Sequence, residues 1–233
     1  MSNARRNTVF DRRVAAGAAC WVLTVVFFVG EAVAQSASNV PYSLYHNTLS
    51  DLGSTACGPA TFGTYHADVC SPLNVAMNAT FVICGLLTAA GALGTWPAWP
   101  GRRVSAAGLV LLVLAGAGEV VVGLRPENIS FVLHTVGATF ALAGGNLGLL
   151  LLGAGLWRVR PWAGALTILV AVVGLAGVAT FNNAPSFGLG VGLVERVAAY
   201  PLVLWLVVAG ACLLGDQLRR AVSTALGILQ TMV

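Results

Sequence analysis

Residues 104–124 read VSAAGLVLLVLAGAGEVVVGL, an apolar run with a single charged residue, Glu119. A helix needs about 20 apolar residues to cross the hydrocarbon core of a bilayer. Its backbone groups must then bond within the helix, because the lipid offers no partner. The run therefore predicts a transmembrane helix, bounded by Arg103 on one side and Arg125 on the other.

Five more runs of this kind occur in the chain, over residues 14–34, 72–95, 131–155, 162–182 and 197–215. The chain is 58% apolar and 9% charged, whereas a soluble globular domain has roughly 25% charged residues. The predicted fold class is all-α, a polytopic six-helix transmembrane bundle with one long extracytoplasmic loop over residues 35–71. Around the membrane domain (14–216) we place an arginine-rich N-terminus (1–13) and a C-terminal tail (217–233), either an amphipathic helix or a frayed end.

The charges sort by side of the predicted membrane. All 12 basic residues are arginine. Ten of them form four clusters at one end of the runs: Arg5/Arg6/Arg12/Arg13, Arg102/Arg103, Arg158/Arg160 and Arg219/Arg220. Cytoplasmic loops carry an excess of basic residues, so we predict a multi-pass protein of the cell membrane with both termini in the cytoplasm. This also accounts for the net charge of +4, and no nucleic-acid partner is expected.

The start of the chain has the pattern of a secretory signal peptide, with Arg12 and Arg13, an apolar stretch and an A-x-A site at 32–34. We favour a retained first span, because Glu31 is unusual so close to a cleavage site.

The predicted long loop contains two local features. Tyr42, Tyr45, Leu49 and Leu52 recur at helical spacing, which predicts a short amphipathic helix lying at the outer interface and stopping at Gly53. Cys57 and Cys70 fall in the same loop, and an oxidising compartment would permit a disulfide between them. The other cysteines, Cys20, Cys84 and Cys212, lie within spans as small apolar residues.

Glycines are concentrated in the predicted third and fourth spans, where small residues allow helices to approach closely. These are Gly108, Gly116, Gly118, Gly144, Gly145, Gly148, Gly153 and Gly155.

Three blocks of sequence carry a family resemblance. The first is Asn47–Gly53 (NTLSDLG) with Ser71–Asn74 and Asn78; the second is Val122–Asn128 (VGLRPEN) with His134–Ala138 and Gly145–Gly148; the third is Glu195–Pro201 (ERVAAYP). In this order they resemble the prokaryotic membrane family known as domain of unknown function 998, over about residues 15–215. The resemblance implies a six-helix membrane protein and no established activity.

Polar groups inside a membrane are costly and mark functional sites by default. They collect in the outer third of the predicted bundle. Candidate catalytic residues are Glu119, as a base or cation ligand, and His134, as an acid or base. Candidate ligand-binding residues are Glu31, Ser50, Asp51, Asn74, Asn78, Arg125, Glu195 and Arg196, with Asn182 and Asn183 nearby.

Each of these candidates has a structural alternative. Glu119 could pair with Arg125 or Arg196 or hydrogen-bond to an asparagine, and His134 could bond to Glu119 or to a loop carbonyl. Arg196 could clamp an anionic headgroup or point out to water. Ser50, a histidine and Asp51 could form a nucleophilic triad, although Ser50–Gly53 fits local capping equally well.

The loop and outer residues also include donors for a zinc ion, namely His46, Ser50, Asp51, His66, Asp68 and His134. They lack the spacing of a metal motif, so no metal and no cofactor is expected.

Two functions stay open. The first is an outer-leaflet site that binds or processes a lipid or amphiphile, in a cavity lined by Glu119, His134, Asn78 and Arg196. The alternative is a non-enzymatic scaffold or accessory subunit with a structural polar cluster. The expected partners are membrane lipid and either another membrane protein or a second copy of the chain. A transporter is disfavoured by the apolar inner half and by the apparent lack of broken helices.

Overall fold

Six spans make up the fold, as the sequence predicts. The computed structural model describes residues 10–63, 65–100, 103–181 and 184–231. Arg5, Arg6, Arg102, Asn182 and Asn183 lie outside the described residues. The helices are α1 (Arg12–Leu23), α2 (Val26–Ser36), α3 (Asn74–Thr95), α4 (Arg103–Leu124), α5 (Phe131–Thr139), α6 (Gly145–Trp157), α7 (Pro161–Phe181) and α8 (Val191–Thr231).

The spans are long and apolar enough to cross a membrane, over Arg12–Ser36, Asn74–Ala98, Arg103–Leu124, Phe131–Trp157, Pro161–Phe181 and Val191–Thr224. The protein is thus a multi-pass membrane protein. The sixth span begins earlier and ends later than predicted. The C-terminal tail continues it as helix to Thr231.

The spans close into a ring. Each packs against its neighbours in sequence, and α1 of the first span packs against α8 of the last. We call the end that carries residues 37–73 and 125–130 the loop end, and the opposite one the arginine end. The arginine half of the ring is filled by apolar side chains, including Trp21, Leu112, Leu152 and Trp205.

Two spans are interrupted, which corrects the expectation of unbroken helices. The first span divides at Thr24, whose hydroxyl donates to the carbonyl of Trp21 at 2.6 Å. The fourth contains a π-helical segment, Phe140–Gly144, between α5 and α6. Such π segments often lie at functional sites, and both interruptions border the interior cavities described below.

The predicted interfacial helix of the loop is wrong. Residues 44–46 form a turn and a 3₁₀ turn follows over Ser50–Gly53, and Leu49 and Leu52 are buried in the core. The backbone N–H of Thr48 donates to Asp51 and that of Asp51 donates back to Thr48 Oγ1. Side chains such as Asp51 and Thr48 compete with helical hydrogen bonds in this way. Because Leu49 and Leu52 are buried in the core, the turn lies against the interior of the ring at its loop end.

A β-hairpin completes the loop end. Strands β1 (Gly58–Phe62) and β2 (Tyr65–Val69) pair antiparallel, with Gly58 opposite Val69 and Phe62 opposite Tyr65. The disulfide Cys57–Cys70 closes its base, with the Cα atoms 4.2 Å apart. The hairpin is therefore cross-linked where it joins the bundle.

Intact protein is expected to leave Cys57 and Cys70 unreactive toward a maleimide until a reductant is added. A loop of this size contributes roughly 3 kcal/mol on the chain-entropy model, so reduction should also lower the unfolding temperature. The measurement is thiol labelling read by mass spectrometry of peptides. The variant Cys57→Ala serves as the control, because it must expose Cys70; labelling of both cysteines without reduction would contradict the bridge.

The predicted close helix contacts occur at most of these glycines. Gly108 faces Gly148, Gly118 faces Gly137 and Gly116 faces Gly85, each near the partner's carbonyl oxygen. Gly144 is an exception, since nothing lies near the position of its absent Cβ.

Candidate functional site

Ser50 and His134 meet at the loop end. Ser50 begins the 3₁₀ turn and His134 lies one turn into α5. Their atoms Oγ and Nε2 are 2.8 Å apart. The other ring nitrogen of His134, Nδ1, lies 3.0 Å from the carbonyl oxygen of Arg125. The sequence predicted a loop carbonyl as one structural partner of His134, and the carbonyl of Arg125 takes that position. Ser50 is a second partner of the ring.

Asp51 does not complete a triad with this pair. Its Oδ2 accepts hydrogen bonds from the Asn47 side chain, the Thr48 N–H and the Tyr65 hydroxyl. Burial, and then the charge of Asp51, raise the pKa of Tyr65, so its hydroxyl stays protonated as a donor. Asp51 therefore holds the hairpin to the turn, in the capping role considered as an alternative.

Glu195 supports the turn from α8. One carboxylate oxygen accepts the backbone N–H of Leu49, and the other lies 3.4 Å from Ser50 Oγ. Glu195 is buried. Ser50 is thus held between a carboxylate and an imidazole.

Arg196 forms a buried ion pair with Glu31. Its Nη2 lies 2.9 Å from Glu31 Oε1, and both side chains are 5% exposed. Tyr200, one turn further along α8, donates to the same carboxylate at 2.7–2.8 Å. A buried charge requires such a partner, and the pair joins the first span to the last.

The remaining donors of Arg196 secure the loop. Nη1 donates to the carbonyls of Leu44, Asn47 and Gly192, and Nη2 donates to the Tyr42 hydroxyl at 2.7 Å. Nε donates to Glu31 Oε1 at 3.0 Å, so every guanidinium nitrogen is engaged by protein groups. In the structure Arg196 and Glu31 bind each other and hold the loop to the bundle. Contact between Arg196 and a ligand stays a prediction.

The two candidate asparagines also fasten the loop. Asn74 donates to the carbonyl of Ser71 and Asn78 to that of Gly53, each at 2.8 Å. The side chain of Arg125 is exposed, and its carbonyl orients His134.

Glu127 lies in the turn between α4 and α5 and is buried beside Asp51. Glu127 Oε1 and Asp51 Oδ1 are both buried without a hydrogen-bond partner among the described residues. Burial, followed by the charges of Asp51 and Glu195, raises the pKa of Glu127 well above its usual range. A proton shared between the two carboxyl groups would let Glu127 donate a hydrogen bond to Asp51. Glu127 Oε1 and Asp51 Oδ1 would then both have a partner.

Stability is therefore expected to fall as pH rises from 5 toward 9. The unfolded chain releases the Glu127 proton near its ordinary pKa while the folded protein keeps it, so the stabilisation is complete at low pH and is lost as pH approaches the raised value. One proton gives a slope of at most about 1.4 kcal/mol per pH unit. The measurement is the unfolding temperature across this range. Glu127→Gln should flatten the dependence, and a parallel curve for that variant would contradict the assignment.

Glu119 stands apart from these networks. It is half-buried in the interior and makes no hydrogen bond or ion pair with any residue that the structure describes. The alternative in which Arg125 or Arg196 pairs with Glu119 is wrong. Arg196 pairs with Glu31, and the exposed side chain of Arg125 forms no ion pair with any described residue. The open part of its surface faces a cavity.

Two adjoining cavities occupy the loop half of the ring. The larger, of about 290 Å³, is lined by apolar side chains that include Phe62, Phe131, Leu142 and Phe181 and by five polar residues, Thr48, Ser50, Glu127, His134 and Glu195. The smaller, of about 60 Å³, lies among Phe27, Phe81, Cys84, Leu202 and Glu119. Ser50, Ala138, Leu142 and Glu195 border both. Of the four residues expected around one cavity, Glu119 lines the smaller cavity and His134 the larger, whereas Asn78 and Arg196 line neither.

The other donors considered for zinc lie apart. His46 is exposed in the loop; His66 is on β2, 3.2 Å from Thr61 Oγ1; Asp68 is exposed on the same strand. Within the described ranges, no three His, Cys, Asp or Glu side chains are placed to hold a metal ion.

Sequence reasoning missed Tyr65, Tyr42 and Tyr200 as partners of the buried charges. Tyr200 had a visible signal, since it lies four residues after Arg196 and so on the same helix face. Tyr42 and Tyr65 had none, because their partners are distant in sequence.

Comparison with known families agrees with the resemblance drawn from the three sequence blocks. A family model described as "Protein of unknown function (DUF998)" matches residues 21–212. This range contains every residue that borders the two cavities. No curated protein and no solved structure matches the chain. The match covers most of the chain, which belongs to the DUF998 family of proteins of unknown function.

Proposed function

We propose that the two cavities bind an amphiphile taken from the extracytoplasmic leaflet of the cell membrane. The observation that carries this is their shared border, which brings polar groups, including the carboxyl groups of Glu127 and Glu195, next to a largely apolar lining inside the ring. A headgroup would contact the polar groups of the larger cavity, and a hydrocarbon chain would lie against the apolar lining.

The arginine distribution supports this orientation. Of the nine arginines that the structure describes, all but Arg125 and Arg196 lie at the arginine end, and the positive-inside rule assigns that end to the cytoplasm. The loop end, with its disulfide-bonded hairpin, would then face the oxidising exterior, where disulfides persist.

The lining favours a headgroup that donates hydrogen bonds. The carboxyl groups of Glu127 and Glu195 offer acceptors, and the described lining of both cavities includes no arginine or lysine. The guanidinium of Arg196 is already engaged. A hydroxyl- or amine-bearing headgroup therefore fits this chemistry better than a bare phosphate, which needs a cation.

Native mass spectrometry of protein purified in mild detergent tests the proposal. The wild type should retain a lipid, and Ala138→Phe should lose it, because Ala138 borders both cavities. Val136→Phe is the matched control, since Val136 lies two residues away on the same helix and is 48% exposed to the outside. Equal retention by the two variants, or none by the wild type, would reject the proposal in favour of a purely structural cluster.

A further inference from the structure

The protonation of His134 follows from its two hydrogen bonds. The Arg125 carbonyl at Nδ1 can only accept, so the proton of the neutral ring resides on Nδ1. Nε2 then carries the lone pair and accepts a hydrogen bond from the Ser50 hydroxyl, with Oγ and Nε2 2.8 Å apart. This is the tautomer that a general base for a serine nucleophile requires, with a backbone carbonyl in the orienting position that a carboxylate takes in a triad.

The position of Ser50 suits a nucleophile. Its turn is fixed by Glu195 at the Leu49 N–H and by the reciprocal Thr48–Asp51 bonds. The residue borders both cavities. The reacting carbon of an amphiphile in the larger cavity could approach Ser50 Oγ while the hydrocarbon chain of the amphiphile lies against the apolar lining. A hydroxyl with a purely structural function would not need to border an open cavity.

We propose that Ser50, with His134 as its base, hydrolyses the carboxylic ester of an amphiphile held in these cavities. The proposal rests on the proposed function and adds the reaction to it. An ester is the favoured substrate class because an alkoxide is a better leaving group than an amine. The imidazole here lacks the carboxylate that strengthens it in a triad, since Asp51 is bonded elsewhere.

The reaction uses water as its only co-reactant. Ser50 Oγ bonds to the ester carbon while Nε2 of His134 takes the hydroxyl proton. The bond from that carbon to the alkoxy oxygen then breaks, and the leaving oxygen takes the proton from Nε2, which releases the alcohol. Water attacks the acyl-serine, His134 takes its proton and returns it to Ser50 Oγ, and the carboxylic acid leaves with no change in oxidation state.

An alkyl fluorophosphonate tests the nucleophile directly, because it forms a stable adduct with an activated serine. The wild type should be labelled, and peptide mass spectrometry should place the adduct on Ser50. Ser50→Ala should lose labelling completely. His134→Gln should slow it at least 100-fold, within the usual range for loss of a general base. Ser130→Ala, beside the site in the turn before α5, should be labelled like the wild type.

The outcomes separate this inference from the proposed function. Folded wild type that retains lipid but is not labelled, or an adduct on a residue other than Ser50, would overturn the nucleophile and leave the binding proposal standing. Localisation of the adduct in the wild type needs no variant, so the test holds even where Ser50→Ala fails to fold. Ala138→Phe should lose both lipid and labelling, whereas Ser50→Ala should lose labelling alone.

Discussion

Arg196→Ala should reduce the free energy of unfolding by about 3–5 kcal/mol, the usual cost of breaking a buried ion pair. The substitution leaves the Glu31 carboxylate buried without its cation, although Tyr200 still donates to it. It also leaves the carbonyls of Leu44 and Asn47 without their donor. The loop would lose these hydrogen bonds to α8 and keep others, such as that between Leu49 and Glu195, so the loop end should become more open to protease as well. Thermal unfolding in detergent, followed by circular dichroism, measures the first effect, and limited proteolysis measures the second.

Two comparisons make this result specific. Arg125→Ala removes an exposed arginine from the same end of the bundle, and surface substitutions usually change stability by less than about 0.5 kcal/mol. The double variant Glu31→Ala with Arg196→Ala should be less destabilised than the sum of the single variants, because neither charge is left alone. Additive losses, or equal unfolding temperatures for Arg125→Ala and Arg196→Ala, would show that the pair contributes little.

The same ion pair shows what sequence could reveal about the site. Glu31 and Arg196 stand out in the sequence because charges within or beside apolar runs are costly and need partners. Their pairing across 165 positions depends on how the first and last spans close the ring. Helical periodicity is local and does not report that closure. The six spans themselves were predictable, because length and apolar content determine them with little influence from tertiary contacts.

The segment that contains Ser50 could not be predicted from its local sequence pattern. The spacing of its tyrosines and leucines indicated an interfacial helix, while Ser50–Gly53 fitted local capping. Tertiary contacts decided between them: Arg196 takes the carbonyls of Leu44 and Asn47, and Glu195 takes the N–H of Leu49. The Ser50–His134 contact joins residues 84 positions apart, and only the folded chain brings them together.

The cysteines were easier to assign. Cys57 and Cys70 alone lie outside the apolar runs, so elimination was enough to predict the bridge. The hairpin between them was not foreseen, because its strands are short and their pairing depends on the cross-link and on Tyr65 reaching Asp51.

Gly116→Ala is expected to destabilise the bundle by roughly 1–3 kcal/mol or more, the cost of overpacking a core. A Cβ on Gly116 would lie 2.3 Å from the carbonyl oxygen of Gly85, which is backbone and cannot rotate away. Helices α3 and α4 would have to move apart, and their contact also positions Glu119, one turn further along α4.

Gly215→Ala is the matched control, because nothing lies within 4 Å of its Cβ position in α8. Alanine there should stabilise the helix by about 0.5–1 kcal/mol. The two unfolding temperatures should therefore shift in opposite directions from the wild type. A shift of the same sign and size in both would mean that helix propensity, and not the contact between α3 and α4, determines the effect of glycine in these spans.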